Sequence, residues 1–248
     1  MASFNKYLST PGIEGGSKNV FHYTQNQAGR SGLTIGRGLD LGVNSEHDLE
    51  QLGIKESVRK KLKPYMDITA EEAKKMHNTK SPLTWDEYIY VIDKTVNSNL
   101  AKIEKAFNED SIIGSFKTLP EKLQHMIGSV YFQMGTSNPA KTAPEFWKQV
   151  TTGDWKGLEK NMLGKDLKEW PSDDKGFGMT QTVLNKQKGK FEIVPFPAGD
   201  KRRRLEWKLL KDSGWSVEKL NQSYKPKSND EASLINNWSI EDNPFNLA

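Results

Sequence analysis

The segment from residue 84 to 107 constrains the fold more than any other part of the chain. Tyr88, Val91, Ile92, Thr95, Val96, Leu100, Ile103 and Phe107 recur at three- and four-residue steps, the spacing that puts side chains on one face of an α-helix. Thr84-Trp85-Asp86-Glu87 stands at its start with the spacing of a capping box, in which a hydroxyl and a carboxylate three residues apart satisfy each other's backbone amides. The pattern predicts one long helix with a single buried stripe.

A second helix is predicted from Pro120, which suits a first-turn position, through Met134, and its centre, residues 126–134, is apolar on nearly every face and must be buried. Shorter helices are expected at residues 3–9, 47–52 (capped by Ser45, with Asp48 in the first turn), 55–66, 69–77 (Thr69 and Glu72 as a capping box), 145–150, 155–162 and 201–211. Thr10-Pro11-Gly12 breaks the first of them. The strand signals are few. Residues 20–42 alternate apolar and polar side chains around Gln27-Ala28-Gly29-Arg30-Ser31-Gly32, a hairpin pattern, and residues 183–194 read as an extra hairpin. From Trp215 onward the chain is rich in Asn, Ser and Lys and lacks amphipathic period, apart from a short helix near residues 217–220, so 215–248 is expected to be an extended tail or docking arm. The fold class is α+β, mostly α.

Composition narrows the chemistry. No cysteine is present among the 248 residues, which excludes disulfides and thiolate nucleophiles or metal ligands. His22, His47, His77 and His125 are too scattered for a helical ligand pair, so neither a metal nor another cofactor is expected. The mean hydropathy is −0.74, and without a run of about 18 apolar residues no membrane span is expected. The start, Met1-Ala2-Ser3-Phe4-Asn5-Lys6, has no apolar core of a secretory signal. Net charge is +4; residues 215–248 hold three lysines against five acids, leaving about +6 on the remainder, which favours an anionic partner. A nucleic acid would feel the same field, but no DNA-reading motif or aromatic–basic interleave is present, so no nucleic-acid partner is expected.

Two carboxylates stand in glycine-punctuated settings. Glu14 lies in Ile13-Glu14-Gly15-Gly16 at the end of the first predicted helix, and Asp40 in Thr34-Ile35-Gly36-Arg37-Gly38-Leu39-Asp40-Leu41-Gly42. A pair of carboxyl groups with a hydroxyl nearby is what glycoside hydrolysis uses, one acid protonating the leaving oxygen and one base aiming water. By themselves the same residues also read as an ordinary hairpin turn and a solvated helix end. Gly36-Arg37-Gly38 lacks the third glycine and the Lys-Ser/Thr of a phosphate cradle.

Three blocks resemble the phage-type lysozyme fold. Helix, Glu14-Gly15, a polar stretch and Leu33-Thr34-Ile35-Gly36-x-Gly38 resemble its entrance. Ile127-Gly128-Ser129-Val130-Tyr131-Phe132-Gln133-Met134-Gly135-Thr136 is similar to its central buried helix, and Asp200-Lys201-Arg202-Arg203-Arg204-Leu205-Glu206-Trp207 to its arginine-rich final helix. In the phage enzymes the catalytic aspartate precedes the threonine. Here residues 15–33 hold no acid, and the order is Glu14, Thr34, Asp40. That order resembles the pesticin-like muramidase branch, used as toxins between bacteria.

The resemblance implies a lysozyme-like domain over residues 1–214: a hairpin-bearing lobe with the catalytic cleft (1–83), a linking helix (84–107) and a helical lobe (108–214). It implies cleavage of the β-1,4 bond between N-acetylmuramic acid and N-acetylglucosamine, with Glu14 as general acid, Asp40 as the ionised partner and Thr34 holding water. Gln133 matches a cleft-lining glutamine. His22, Tyr23 and Arg37 are candidate sugar or stem-peptide contacts. Arg202 matches an arginine that orients the glutamate, while at least one of Arg202 to Arg204 is expected on a solvated basic face; Gly36 and Gly38 shape the turn. The expected partners are peptidoglycan strands and an immunity protein blocking the cleft, for a monomer made in the cytoplasm and acting on a target cell's wall after secretion-system delivery or lysis. A non-catalytic glycan-binding module and a lytic transglycosylase are the alternatives.

Overall fold

In the computed structural model the described residues are 2–9, 19–24, 32–36, 38–134, 140, 143–163, 180–185, 190–195 and 197–225, with side chains left aside at Ala2, Ser3, Asn5, Thr24, Gln133, Met134 and 180–200. The chain divides into two compact units, residues 1–102 and 103–248. It is mostly helical with one small three-stranded antiparallel sheet, the α+β, lysozyme-like class expected.

The first unit starts with α1, Ala2–Leu8, which buries Phe4, Tyr7 and Leu8. Strands β1 (Phe21–Thr24), β2 (Gly32–Ile35) and β3 (Leu39–Asp40) follow, in spatial order β1-β2-β3. Register puts Phe21 opposite Ile35 and Ile35 opposite Leu39, and all three are buried. Alternation then turns the next row, His22, Thr34 and Asp40, to the other face. The outer edge of β1 is paired by residues 78–80: Phe21 N–H donates to the Thr79 carbonyl at 2.8 Å, Asn78 N–H to the Phe21 carbonyl at 2.8 Å, and Val20 bridges Lys80. No long strand edge of β1 is thus left open.

Three short helices come next: α2 (Glu46–Gln51), α3 (Glu56–Leu62) and α4 (Ala70–Lys75). The Ser45–Asp48 and Thr69–Glu72 capping boxes are both formed. The α-helix predicted over 55–66 stops at Leu62 and continues as a 3₁₀ turn, Lys63–Tyr65. Pro64 is the reason, because it has no N–H to give to the carbonyl four residues back.

Helix α5 runs Trp85–Asp110, one turn longer than the stripe indicated, and the boundary between the units falls within it. In the first unit its Tyr88, Val91, Ile92 and Val96 are buried. In the second unit Ile103 and Phe107 join α6 (Glu121–Met134), α7 (Pro144–Thr152) and α8 (Trp155–Leu163). Tyr131 meets the rings of Phe146 and Trp147 edge-on at 5.7 and 5.2 Å, and Trp147 donates its indole N–H to Asp110 at 2.7 Å. A two-stranded hairpin, β4 (Thr180–Asn185) and β5 (Lys190–Pro195), and α9 (Pro197–Asp212) follow.

Beyond Trp215 the structure departs from the expected arm. Ser216 caps α10, Val217–Ser223, whose Leu220 is fully buried. The Tyr224 hydroxyl donates to the Thr118 carbonyl at 2.7 Å, and its ring meets Trp155 and Trp215. Residues 215–225 are therefore part of the helical unit. One leucine and two aromatics are enough to anchor so short a helix, yet too few to show an amphipathic period. Residues 226–248 lie outside those described. Among the described residues, no helix is long and apolar enough to cross a membrane.

Candidate functional site

The candidate site is built on the sheet. Thr34 pairs with His22 on one side and with Asp40 on the other. Directly opposed residues in antiparallel strands share a face with Cβ atoms about 5 Å apart, so the hydroxyl and the carboxyl stand side by side with the imidazole beyond. All three are intermediate in exposure, while Leu33, Ile35, Leu39 and Leu41 behind them are buried. An apolar strand pattern with polar side chains at alternate positions produces this arrangement directly: one face builds the core and the other carries the chemistry.

Asp40 is held tightly. Its Oδ1 accepts the Gly42 N–H at 2.8 Å, and its carbonyl accepts the Asn44 side-chain amide at 2.6 Å. Burial raises its pKa above the ordinary aspartate value, and the Gly42 N–H opposes that rise. A Cβ on Gly32 would overlap the Gly42 backbone and crowd the Asp40 carboxylate. Two glycines thus let β2 and the chain after β3 close around this one carboxyl group. Sequence reading did not single out Gly32 or Gly42. The signal was present in Asp40-Leu41-Gly42, a sequence suited to an Asx turn in which the aspartate accepts the amide two residues on.

The turn joining β2 to β3 needs its glycines. Gly36 and Gly38 have φ of +57° and +89°, and a Cβ at Gly36 would run into Ile92 of α5. Their role is backbone geometry, and Gly36 seats the hairpin on the long helix. Next to the site, the Tyr23 N–H donates to His77 Nδ1 at 3.0 Å and the His22 and His77 rings meet edge-on at 6.1 Å. His77 is a neighbour that sequence reading passed over as one of four scattered histidines; only the pairing of β1 with residues 77–81 brings it here.

Glu14 and Arg37 lie outside the described residues. Gln133 stands on α6 in the second unit, its side chain likewise outside them. Arg202 belongs to α9 of that unit and is buried rather than solvated. Its Nε donates to Glu206 Oε1 at 3.1 Å, and its Nη2 to the Ser129 hydroxyl at 2.8 Å and carbonyl at 3.1 Å. Arg203 pairs with the other Glu206 oxygen, and the Ser129 hydroxyl also bonds Glu206. Buried charges persist only when so satisfied; the cluster fastens α9 to α6. Arg204 is intermediate in exposure.

No curated protein matches the chain. Residues 7–156 match a family described as "Pesticin: Bacterial toxin homologue of phage lysozyme, C-term". That span holds the end of α1, the three-stranded sheet with Thr34 and Asp40, and α2 to α7, and on it the chain belongs to the Pesticin family of bacterial toxins homologous to phage lysozyme.

Proposed function

We propose that the protein is a peptidoglycan hydrolase, a muramidase cleaving the β-1,4 bond between N-acetylmuramic acid and N-acetylglucosamine, and that it serves as an antibacterial toxin. The observation that carries the reading is the pairing of Thr34 with a half-buried Asp40 on one sheet face of a Pesticin-family chain. Glu14 gives its proton to the glycosidic oxygen as the bond to the muramic C1 breaks. Water held by the Thr34 hydroxyl, which accepts one hydrogen bond while donating another, attacks C1 from the opposite face. Asp40 takes the water's proton. The products are a new hydroxyl on N-acetylglucosamine and a reducing-end N-acetylmuramic acid of inverted configuration, which calls for a carboxyl separation of about 6.5 to 9.5 Å.

The substrate's anionic polymer suits the chain's net charge of +4. Such a toxin acts on the wall of a target cell after delivery by a secretion machine or lysis, and its producer needs an immunity protein covering the cleft. Clearing of turbid sacculus suspensions tests the reading. Wild type clears them, and Glu14→Gln and Asp40→Asn each slow clearing by about 10² to 10⁴. Equal rates for wild type and both variants would remove the catalytic assignment.

A further inference from the structure

Four polar side chains stand in one row across the sheet. His22 lies opposite Thr34 and Thr34 opposite Asp40, so at about 5 Å per strand the imidazole stands about 10 Å from the carboxyl, on the same face. The ring of His77 extends the row, meeting the His22 ring edge-on at 6.1 Å. His22, Thr34 and Asp40 are partly exposed and His77 is exposed, so solvent reaches all four.

The chain builds the placement of His77. Helix α4 ends at Lys75 with Met76 as its cap, and Asn78 turns with φ of +65°, a left-handed conformation that Asn tolerates. The Asn78 N–H and the Thr79 carbonyl then bond both backbone groups of Phe21. His77 is thereby pinned between a helix end and a strand edge, and its Nδ1 accepts the Tyr23 N–H at 3.0 Å. An accepting nitrogen carries no proton, so the neutral ring keeps its proton on Nε2. The strand edge accounts for one nitrogen only. Among the described residues Nε2 makes no hydrogen bond; it is a held donor on an exposed side chain.

We propose that His77 and His22 form a sugar subsite on the β1 side of the cleavage point, in which His77 Nε2–H donates to the acetamido carbonyl of an N-acetylhexosamine and the His22 ring flanks the same sugar. A neutral N–H matches a neutral carbonyl acceptor, which every sugar of such a strand carries, whereas a carboxylate would be matched better by a cation. Binding energy gained away from the reacting carbon holds the strand in register with Thr34 and Asp40. The subsite rests on the peptidoglycan reading for the identity of its ligand.

Two substitutions separate the nitrogens. His77→Asn keeps an acceptor near the place of Nδ1 and loses the Nε2 donor. His77→Gln brings an amide N–H near the place of Nε2 and loses the acceptor. Binding of the full-length chain to purified sacculi is measured by depletion from the supernatant, in an Asp40→Asn background so that the sacculi stay intact. His77→Asn is expected to weaken apparent affinity about three- to tenfold, the range of one neutral hydrogen bond, with the parent's melting temperature. His77→Gln is expected to bind closer to the parent and to melt lower. His47→Asn, at the exposed imidazole of α2, is expected to bind as the parent does. Parent-like binding by His77→Asn, affinities that follow melting temperature across the variants, or an equal loss with His47→Asn overturns the subsite. If wild type cuts sacculi and His77→Asn binds as the parent does, the subsite fails alone. If wild type neither binds nor cuts them, the peptidoglycan reading fails and the subsite with it.

Discussion

Asp40 carries opposing demands that a single substitution separates. Burial raises its pKa, so the folded state holds its proton more tightly than the unfolded chain does. Its contribution to stability is therefore present in acid and is lost as pH rises through the folded pKa. Asp40→Asn keeps an oxygen for the Gly42 N–H and removes the charge, so it is expected to raise the melting temperature slightly at neutral pH while slowing clearing by about 10² to 10⁴; the stability gain should vanish below the ordinary aspartate range. A lower melting temperature at pH 7 would contradict this. Under the proposed mechanism, in which Asp40 works as the ionised form, the same raised pKa moves the acidic limb of the rate profile upward. At Gly36, Ala would have to adopt φ near +57° and displace Ile92, a destabilisation of roughly 2 kcal/mol measurable by denaturant titration. Thr34, Asp40 and the positive-φ glycines were legible because the glycines punctuate an alternating strand. The close approach of Gly32 to Gly42 was not, because it depends on which backbone lies opposite.

At the scale of elements, the caps and the long stripe were readable and the ends were not. Thr84, Glu87 and the stripe through Phe107 located α5, since a capping box and helical period are both local signals. The 3₁₀ turn after α3 and the burial of α10 depend on Pro64 geometry and on tertiary partners. Thr84→Ala should cost about 1 kcal/mol, read as a shift in the unfolding midpoint, because it removes the Glu87 N–H partner at the start of α5. Leu220→Ala should cost about 3 kcal/mol, since Leu220 is fully buried. A value near zero would return the segment to the extended tail or docking arm the sequence suggested.

Over the whole molecule, the Pesticin family match and the mostly helical, three-strand architecture agree on a lysozyme-like fold. Family and net charge are both compatible with the cell-wall polymer proposed as substrate. The measurement that bears most directly on this is mass spectrometry of the fragments released from purified sacculi by the full-length chain. Fragments ending in reducing N-acetylmuramic acid, formed by wild type and not by Glu14→Gln, are the expected result. Anhydro-muramic ends, reducing N-acetylglucosamine ends, or sacculi left whole would contradict it.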